Sequence, residues 1–536
     1  MKNWPNFCLP LLLLPLFLPL LAKAQWSSAI ALPGTGNVNC QSLAVFPDGR
    51  LLMGGTFDEY LVLDDQTLTA IGKADAFLSV FSANGEVLWT WSGGATENDE
   101  VTHVAIAANG DFLAFGSFWF ELPIADTLLL AAPGTKALFL ARFAGDGNLL
   151  WAQSMTGIGL KGSAGLALDA NNQIWIGGHF EQNLAIGEQT LDSGQSDGST
   201  HLFLALLADT GTPIWTRQAG GTDDTRMTAL TLSSQGDAIL GGFFNGVTQI
   251  GAETFTANTS DRDAFLARYD QDGQVLWAKK AGGVFDDDLT ALWSDGNGHF
   301  YAGGQLVGVM TLSEQLSIQS SNGNGDFFLL KYLEDGTPQA ARALGGTQAE
   351  QVSCIAMVQE TIVLGGLFSG AMAFDGFSVD AGLALNGFVA GFNSDLTVKW
   401  LALGQSSSLA LIRSLAVSTD HCVYAAGSYI DDLNLGAIAL NGSSASDGFL
   451  AQIWKGLTPT AAPIKASSKW QFWPNPATDR VFIQGLEKTE PYFLMNAYGT
   501  VVKNGLVADH LYLGDLPGGI YFLVIENKVE RILLGR

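Results

Sequence analysis

One unit of sequence recurs seven times along this chain, and that repetition limits the fold more than any other feature. The segment DAFLARYDQDGQVLWAKKAGG (Asp263–Gly283) has counterparts that begin at Asp75, Ala137, His201, Asp326, Asn386 and Asp447. Successive starts lie 62, 64, 62, 63, 60 and 61 residues apart. A second signature, GGxF or a close variant, precedes each copy.

Two columns hold in every repeat. One is Phe77, Phe139, Phe203, Phe265, Phe328, Phe388 and Phe449; the other is Gly55, Gly116, Gly178, Gly242, Gly304, Gly366 and Gly427. A third column is Trp89, Trp151, Trp215, Trp277 and Trp400, with Ala340 as its exception. The last copy ends before its Trp is reached. The missing piece stands at the other end of the chain, where Trp26 precedes Trp89 by 63 residues, one repeat length. The N-terminal segment is therefore expected to supply the outer strand of the final repeat, closing a ring that leaves no open edge. A linear stack would need atypical terminal repeats instead.

Each repeat parses into four strands. In the fourth these are Thr228–Ser234, Asp237–Phe244, Ala264–Asp270 and Gln274–Lys280. Asn-Gly, Asp-Gly or Thr-Gly turns separate many of them and suit tight hairpins, because Gly and Asn accept positive φ. Gly is abundant for the same reason, at 64 of 536 residues, against about 7% in average proteins. The reading is all-β: a seven-bladed β-propeller over residues 25–455, closed by its N-terminal strand. The Phe and Trp columns are assigned to the core between blades, and the Gly column to close backbone approach between blades. These repeats resemble the β-propeller repeats of bacterial extracellular proteins. That resemblance implies an architecture and says little about activity.

Residues 1–24 read as a signal peptide: Lys2, the apolar run Cys8–Leu21, and the cleavage site Ala22-Lys23-Ala24. The apolar run is short for a membrane span and carries prolines. Losing Lys2 and Lys23 takes the net charge from −26 to −28. So acidic a chain is not expected to seek nucleic acid or anionic membrane. Cys40, Cys354 and Cys422 remain, an odd number at irregular spacing that specifies no disulfide framework. One bridge or buried free thiols both fit.

Residues 456–469 (GLTPTAAPIKASSK) read as a linker. Residues 470–536 then read as a small β-sandwich of about seven short strands. Three ordered motifs mark it: Trp473-Pro474-Asn475-Pro476-Ala477, Tyr498-Gly499-Thr500-Val501-Val502, and Leu516-Pro517-Gly518-Gly519-Ile520-Tyr521. This segment resembles the C-terminal sorting domain of the Por (type nine) secretion system of Bacteroidetes-type bacteria, with Trp473 in place of the usual Tyr. The resemblance implies that Pro474, Asn475, Pro476, Gly499, Leu516, Pro517, Gly519 and Tyr521 carry the sorting signal. It also implies the secretion machinery as a partner, and a secreted or outer-surface destination reached through the periplasm.

No catalytic set stands out. The six histidines, His103, His179, His201, His299, His421 and His510, lack metal-ligand spacing. His179 and His201 read as packing or surface residues. Acidic loops follow the GG doublets: Thr96–Glu100, Asp223-Asp224 and Asp286-Asp287-Asp288. In a propeller these loops share one face with the long connections between second and third strands, such as Asn245–Arg262. That face is where binding is expected. Calcium is one candidate occupant of Asp223, Asp224, Asp286, Asp287 and Asp288. The clusters match no EF-hand or nonapeptide pattern, so solvated acidic loops without a cofactor are the preferred reading. The chain is expected to be a monomeric, non-enzymatic binding or structural protein that takes a glycan or protein ligand on this face. The alternative is a propeller hydrolase or lyase acting on polysaccharide, which would need paired carboxylates or a basic-aromatic groove at one mouth.

Overall fold

The computed structural model describes residues 26–453 and 471–534, except 258–260, 322–324, 347, 349, 474–476, 485–488, 497–500, 518 and 526–527. The signal peptide and the linker expected at 1–24 and 456–469 lie outside the described residues. The chain divides into two compact units, one of Ala24–Lys455 and one containing Gly456–Arg536.

The larger unit is a seven-bladed β-propeller. Its fourth blade has strands a to d at Thr225–Leu232, Ala238–Phe244, Asp263–Tyr269 and Val275–Ala281, hydrogen-bonded in that order. The other blades repeat the pattern, and their a strands touch in a closed ring, the first (Val38–Val45) against the last (Leu409–Val417). Closure follows the sequence reading. The strand Trp26–Leu32 pairs antiparallel with Asp447–Ile453, with Trp26 opposite Ile453 and Ala31 opposite Phe449. Blade 7 thus takes its outermost strand from the start of the chain.

The three columns have distinct physical roles. All seven column phenylalanines are fully buried, each removing apolar surface worth about 1.5–3 kcal/mol from water. Phe203 shares one core cluster with Phe115 of blade 2, and Phe265 one with Leu204 of blade 3, so the column lies in cores that span adjacent blades. The glycines work differently from expectation. Strand a bulges at one recurrent place, for example between Cys40 and Ser42, Met227 and Ala229, and Ile412 and Ser414. The column glycine lies opposite that bulge within its own blade. A Cβ on Gly242 would sit 1.9 Å from the Arg226 carbonyl oxygen, and one on Gly55 2.1 Å from that of Asn39 and 2.7 Å from the Phe77 ring. Glycine therefore admits the bulge rather than the neighbouring blade.

Tryptophan joins consecutive blades. The indole Nε1 of Trp215 donates to the Gln271 carbonyl at 2.8 Å, and that of Trp277 to the Glu334 carbonyl at 2.9 Å. Each acceptor lies in the tight c–d turn of the next blade. The turn glycines Gly273 and Gly336 take φ of 77° and 83°. A Cβ there would meet the Trp215 and Trp277 rings at 3.0 Å. The same face carries buried ion pairs. Arg268 Nη2 lies 2.7 Å from Asp237 Oδ2 while its Nη1 donates to the Glu334 carbonyl at 2.8 Å. Ala340 leaves the fifth copy without a Trp, yet Pro338–Leu344 forms its d strand.

The long b–c connections are not irregular loops. In blade 4 the connection folds into a hairpin, Val247–Ile250 with Glu253–Thr256. It adds to the preceding blade, where Gly220 and Gly221 pair with Gln249 and Thr248. Single bridges do the same elsewhere, such as Thr156 with Ala185, Gly282 with Thr311 and Gln405 with Asn434. Blade 2 has Pro123 at the matching hairpin position, and proline has no N–H to donate.

The smaller unit has two antiparallel sheets. One orders Gln471–Trp473, Arg480–Gln484 and His510–Tyr512; the other orders Val501–Val507, Glu490–Asn496, Gly519–Ile525 and Lys528–Leu534. Val481, Ile483 and Leu511 from the first share one core with Leu494, Leu523 and Ile532 from the second. That is the small sandwich read from the sequence.

Candidate functional site

The two propeller faces differ as the repeat pattern implies. The c–d turns on one face are consumed by Trp, Arg and Gly packing. The other carries the b–c hairpins and the d–a loops, and with them Asp223, Asp224 and Asp286–Asp288.

The predicted acidic residues do not form one site. Asp223 and Asp224 stand at the junction of blades 3 and 4, and Asp286–Asp288 at the junction of blades 4 and 5. Most are neutralised locally. Asp224 Oδ1 accepts from the Thr200 amide at 3.0 Å and its hydroxyl at 2.9 Å, while Arg226 Nη2 lies 3.0 Å from its Oδ2. Asp223 Oδ2 accepts from the Thr222 hydroxyl at 2.8 Å. Arg262 holds both Asp286, at 3.1 Å, and Asp288, at 3.0 Å. Asp287 alone is fully buried, and neither of its oxygens finds a hydrogen-bond partner among the described residues. Burial and the nearby Asp263 charge push it up to about 8, against partial relief from the Gly283 and Val307 amides. Among the described residues no three of His, Cys, Asp and Glu gather as a metal cluster.

The repeat register explains Asp287 and exposes residues the sequence reading passed over. Two positions recur near these strand starts, one two residues before the column Phe and one 24 residues after that, by the start of the next blade's strand a. Three junctions place a carboxylate at both positions: Asp75 with Asp99, Asp263 with Asp287, and Asp326 with Glu350. Others read Ala137 with Lys161 and His201 with Thr225. Aligning the seven copies at these two columns would have revealed the pairs.

Asp99 is pushed up to about 7 by burial and the charge of Asp75, though the amides of Ala95 and Trp119 donate to it at 2.8 and 2.9 Å. Its neighbour Glu100 behaves oppositely. Burial would raise it, but Lys136 at 3.0 Å and the hydroxyl of Ser117 at 2.7 Å hold it below the usual carboxylate range.

Glu100 lines a cavity of about 360 Å³ between blades 1 and 2, together with Asn37, Asn39, Thr56, Asp58, Lys73, Ala74 and Asn98. Its wall is amide, hydroxyl and charge. Asp58 Oδ2 accepts from Asn37 Nδ2 at 2.7 Å, and Lys73 pairs with Glu97 at 2.5 Å. A second cavity of about 370 Å³ is lined by Ser407, Asp431, Asp432, Asn434 and Gly442.

Of the two histidines read as packing or surface residues, His201 is buried and His179 half-buried. Burial pushes His103 and His179 down to about 4, and each is neutral at pH 7. His201 is buried at the start of its c strand. The three described cysteines are free thiols, which removes the bridge the count allowed.

In the smaller unit Pro474, Asn475, Pro476 and Gly499 lie outside the described residues. The third motif is described except for Gly518. Tyr521 is buried and its hydroxyl donates to the Pro517 carbonyl at 2.7 Å, while Leu516 packs against the core. Gly519 begins the strand that carries Tyr521. The spacing between Pro517 and Tyr521 thus closes a turn onto its own strand.

Residues 471–533 match the family described as Secretion system C-terminal sorting domain. A curated relative, Regulatory protein FlaEY of Caulobacter vibrioides, is 26% identical over 200 residues, 36% of this chain and 21% of that protein. The chain therefore spans about a fifth of that relative. Among solved structures, the phage phi92 endosialidase is 10% identical at a TM-score of 0.37, covering 95% of this chain and 87% of its own. Sqt1 from Chaetomium thermophilum is 9% identical at 0.34, covering 81% and 100%. Virginiamycin B lyase from Staphylococcus aureus is 10% identical at 0.27, covering 63% and 95%. Likenesses this distant carry no argument about activity. The chain is a seven-bladed β-propeller that ends in a secretion system C-terminal sorting domain of the Por type.

Proposed function

We propose that the mature protein is an exported binding module that holds a hydroxyl-rich ligand, a glycan, without turning it over, in the polar cavity between blades 1 and 2. The sorting domain supports export to the medium or the cell surface. The observation that carries the binding role is the cavity wall. Asn37, Asn39, Asn98 and Thr56 supply groups that both donate and accept, as sugar hydroxyls require, and Asp58, Glu100 and Lys73 add charged partners.

The test is a glycan array with the mature chain, run beside a polysaccharide turnover assay. Binding without turnover, weakened at least tenfold by Asn39→Ala, is the expected result. Turnover abolished by Glu100→Gln would instead establish the polysaccharide hydrolase or lyase, since Asp58 and Glu100 share this cavity.

The route proposed is a signal peptide at residues 1–24, passage through the periplasm, then outer-membrane transfer directed by the C-terminal domain. A chain ending at Lys469 is expected to accumulate in the periplasm by cell fractionation. Unchanged surface display of that truncation would refute the route.

A further inference from the structure

We infer that the junction of blades 5 and 6 is a divalent-cation site, calcium by its oxygen chemistry, built on the carboxylates of Asp326 and Glu350. This site is separate from the proposed glycan cavity and does not rest on it. Nor does it use the aspartates whose charge Arg226 and Arg262 already meet.

Asp326 opens strand c of blade 5 (Asp326–Leu333) and Glu350 opens strand a of blade 6 (Glu350–Val358). They are 1% and 0% exposed. Both converge on the space beside Gly345. A Cβ placed there would lie 2.4 Å from Asp326 Oδ1 and 2.8 Å from Glu350 Oε2. Asp326 accepts from the Ser321 amide at 2.6 Å and the Ser321 hydroxyl at 3.2 Å, which offset part of the rise that burial imposes on it. Neither oxygen of Glu350 has a hydrogen-bond partner among the described residues. No lysine, arginine or histidine pairs with either carboxylate among them. Two facing carboxylates in a dry junction without a counter-charge are strongly disfavoured. Burial, then the charge of Asp326, pushes Glu350 up to about 8, against partial relief from the nearby Gly346 amide.

Other junctions of the same ring treat this position differently: between blades 1 and 2 the amides of Ala95 and Trp119 donate to Asp99 and those of Ile71 and Gly72 to Asp75. Between blades 2 and 3 the Glu350 position is Lys161 and the Asp326 position is Ala137. The Lys161 ammonium donates to the carbonyls of Gly157 and Gly159, both at 2.8 Å. Carbonyl oxygens of the d–a loop therefore serve a cation there. Between blades 4 and 5 the Lys280 ammonium lies 2.5 Å from Asp263 Oδ2 and relieves that member of the pair, while Asp287 keeps no such partner. Lys280 stands opposite the column residue Phe265, and the same place opposite Phe328 is Ala343. The blade 5–6 junction thus keeps both carboxylates and loses the chain's own ammonium.

A free cation completes the series. Calcium takes six to eight oxygens from carboxylates, carbonyls and water, and extracellular modules bind it at about 10⁻⁴–10⁻³ M. Zinc prefers nitrogen and sulfur ligands, and neither stands with this pair.

The test uses the mature chain at pH 7.5, stripped with EDTA and titrated with calcium chloride. Thermal unfolding and terbium luminescence are the readouts. Calcium is expected to raise the Tm and to displace terbium from one site. Glu350→Gln and Asp326→Asn should each raise the calcium needed at least tenfold, whereas Asp263→Asn should leave it unchanged. Ala343→Lys installs the blade 4 ammonium and should abolish the calcium response in a folded protein. A Tm and terbium signal indifferent to calcium overturn the proposal. So does a terbium response that survives in the Asp326→Asn, Glu350→Gln double variant. A third overturning result is Glu350→Gln raising the Tm in EDTA while the parent ignores calcium, which would assign a shared proton instead.

Discussion

The inside of the propeller and its loop rim follow opposite rules. Inside, Phe, Gly and Trp recur at fixed places because every blade meets its neighbours through the same geometry. On the rim, the starts of strands c and a vary from blade to blade: Asp with Asp, Ala with Lys, His with Thr, Asp with Glu. Repetition reports packing, while departure from repetition marks places where charge must be settled individually. The difference teaches that a repeat protein's sites are best sought where the alignment of its own copies breaks.

Substitutions can break or sharpen that contrast. Phe265→Ala should cost about 3–5 kcal/mol in urea unfolding, as a buried ring is lost between blades 3 and 4. A loss under about 1 kcal/mol would remove the column's core role. Gly242→Ala should cost about 1–3 kcal/mol, because its methyl meets the Arg226 carbonyl at the bulge. Asp287→Asn tests the rim. The folded value of Asp287, about 8, lies above its ordinary 3.8. Between those values the folded chain holds the extra proton, so the stability this group contributes at pH 4 fades as pH rises towards 8. The variant should therefore gain on the parent by at least about 1.4 kcal/mol, the worth of one pKa unit, between pH 5 and pH 8. A difference that does not change with pH would refute the burial argument. Trp277→Phe should cost about 1 kcal/mol for the lost bond to the Glu334 carbonyl. Asp223→Asn, half-exposed at the rim, should change stability by less than about 0.5 kcal/mol.

Most of the propeller was legible because its core residues recur with a period no other architecture explains as well. Ring closure followed from the interval between Trp26 and Trp89. The blade boundaries in the fourth repeat fell within three residues of the observed strands. The role of the glycine column was not legible, since a bulge leaves no mark in hydrophobic pattern. Nor were the b–c hairpins, whose strands are only three to five residues long. The acidic loops were found, but read as solvated, because the ion pairs of Arg262 with Asp286 and Asp288 span 24 or more residues and form only in the fold. The cavity between blades 1 and 2 draws on residues from Asn37 to Glu100 and has no local signature. In the sorting domain the link between Pro517 and Tyr521 gives one motif a physical meaning: it pins a turn.

The pairing of Trp26 with Ile453 ties together residues more than four hundred positions apart. A contact of such sequence separation pays its chain entropy last. Until the leading strand docks, the segment Asp447–Ile453 presents a bare margin of unpaired N–H and C=O groups, open to stray partners. The clasp can shut only after the final repeat has emerged, so the barrel of blades is finished late, as its front and rear are brought to the same seam.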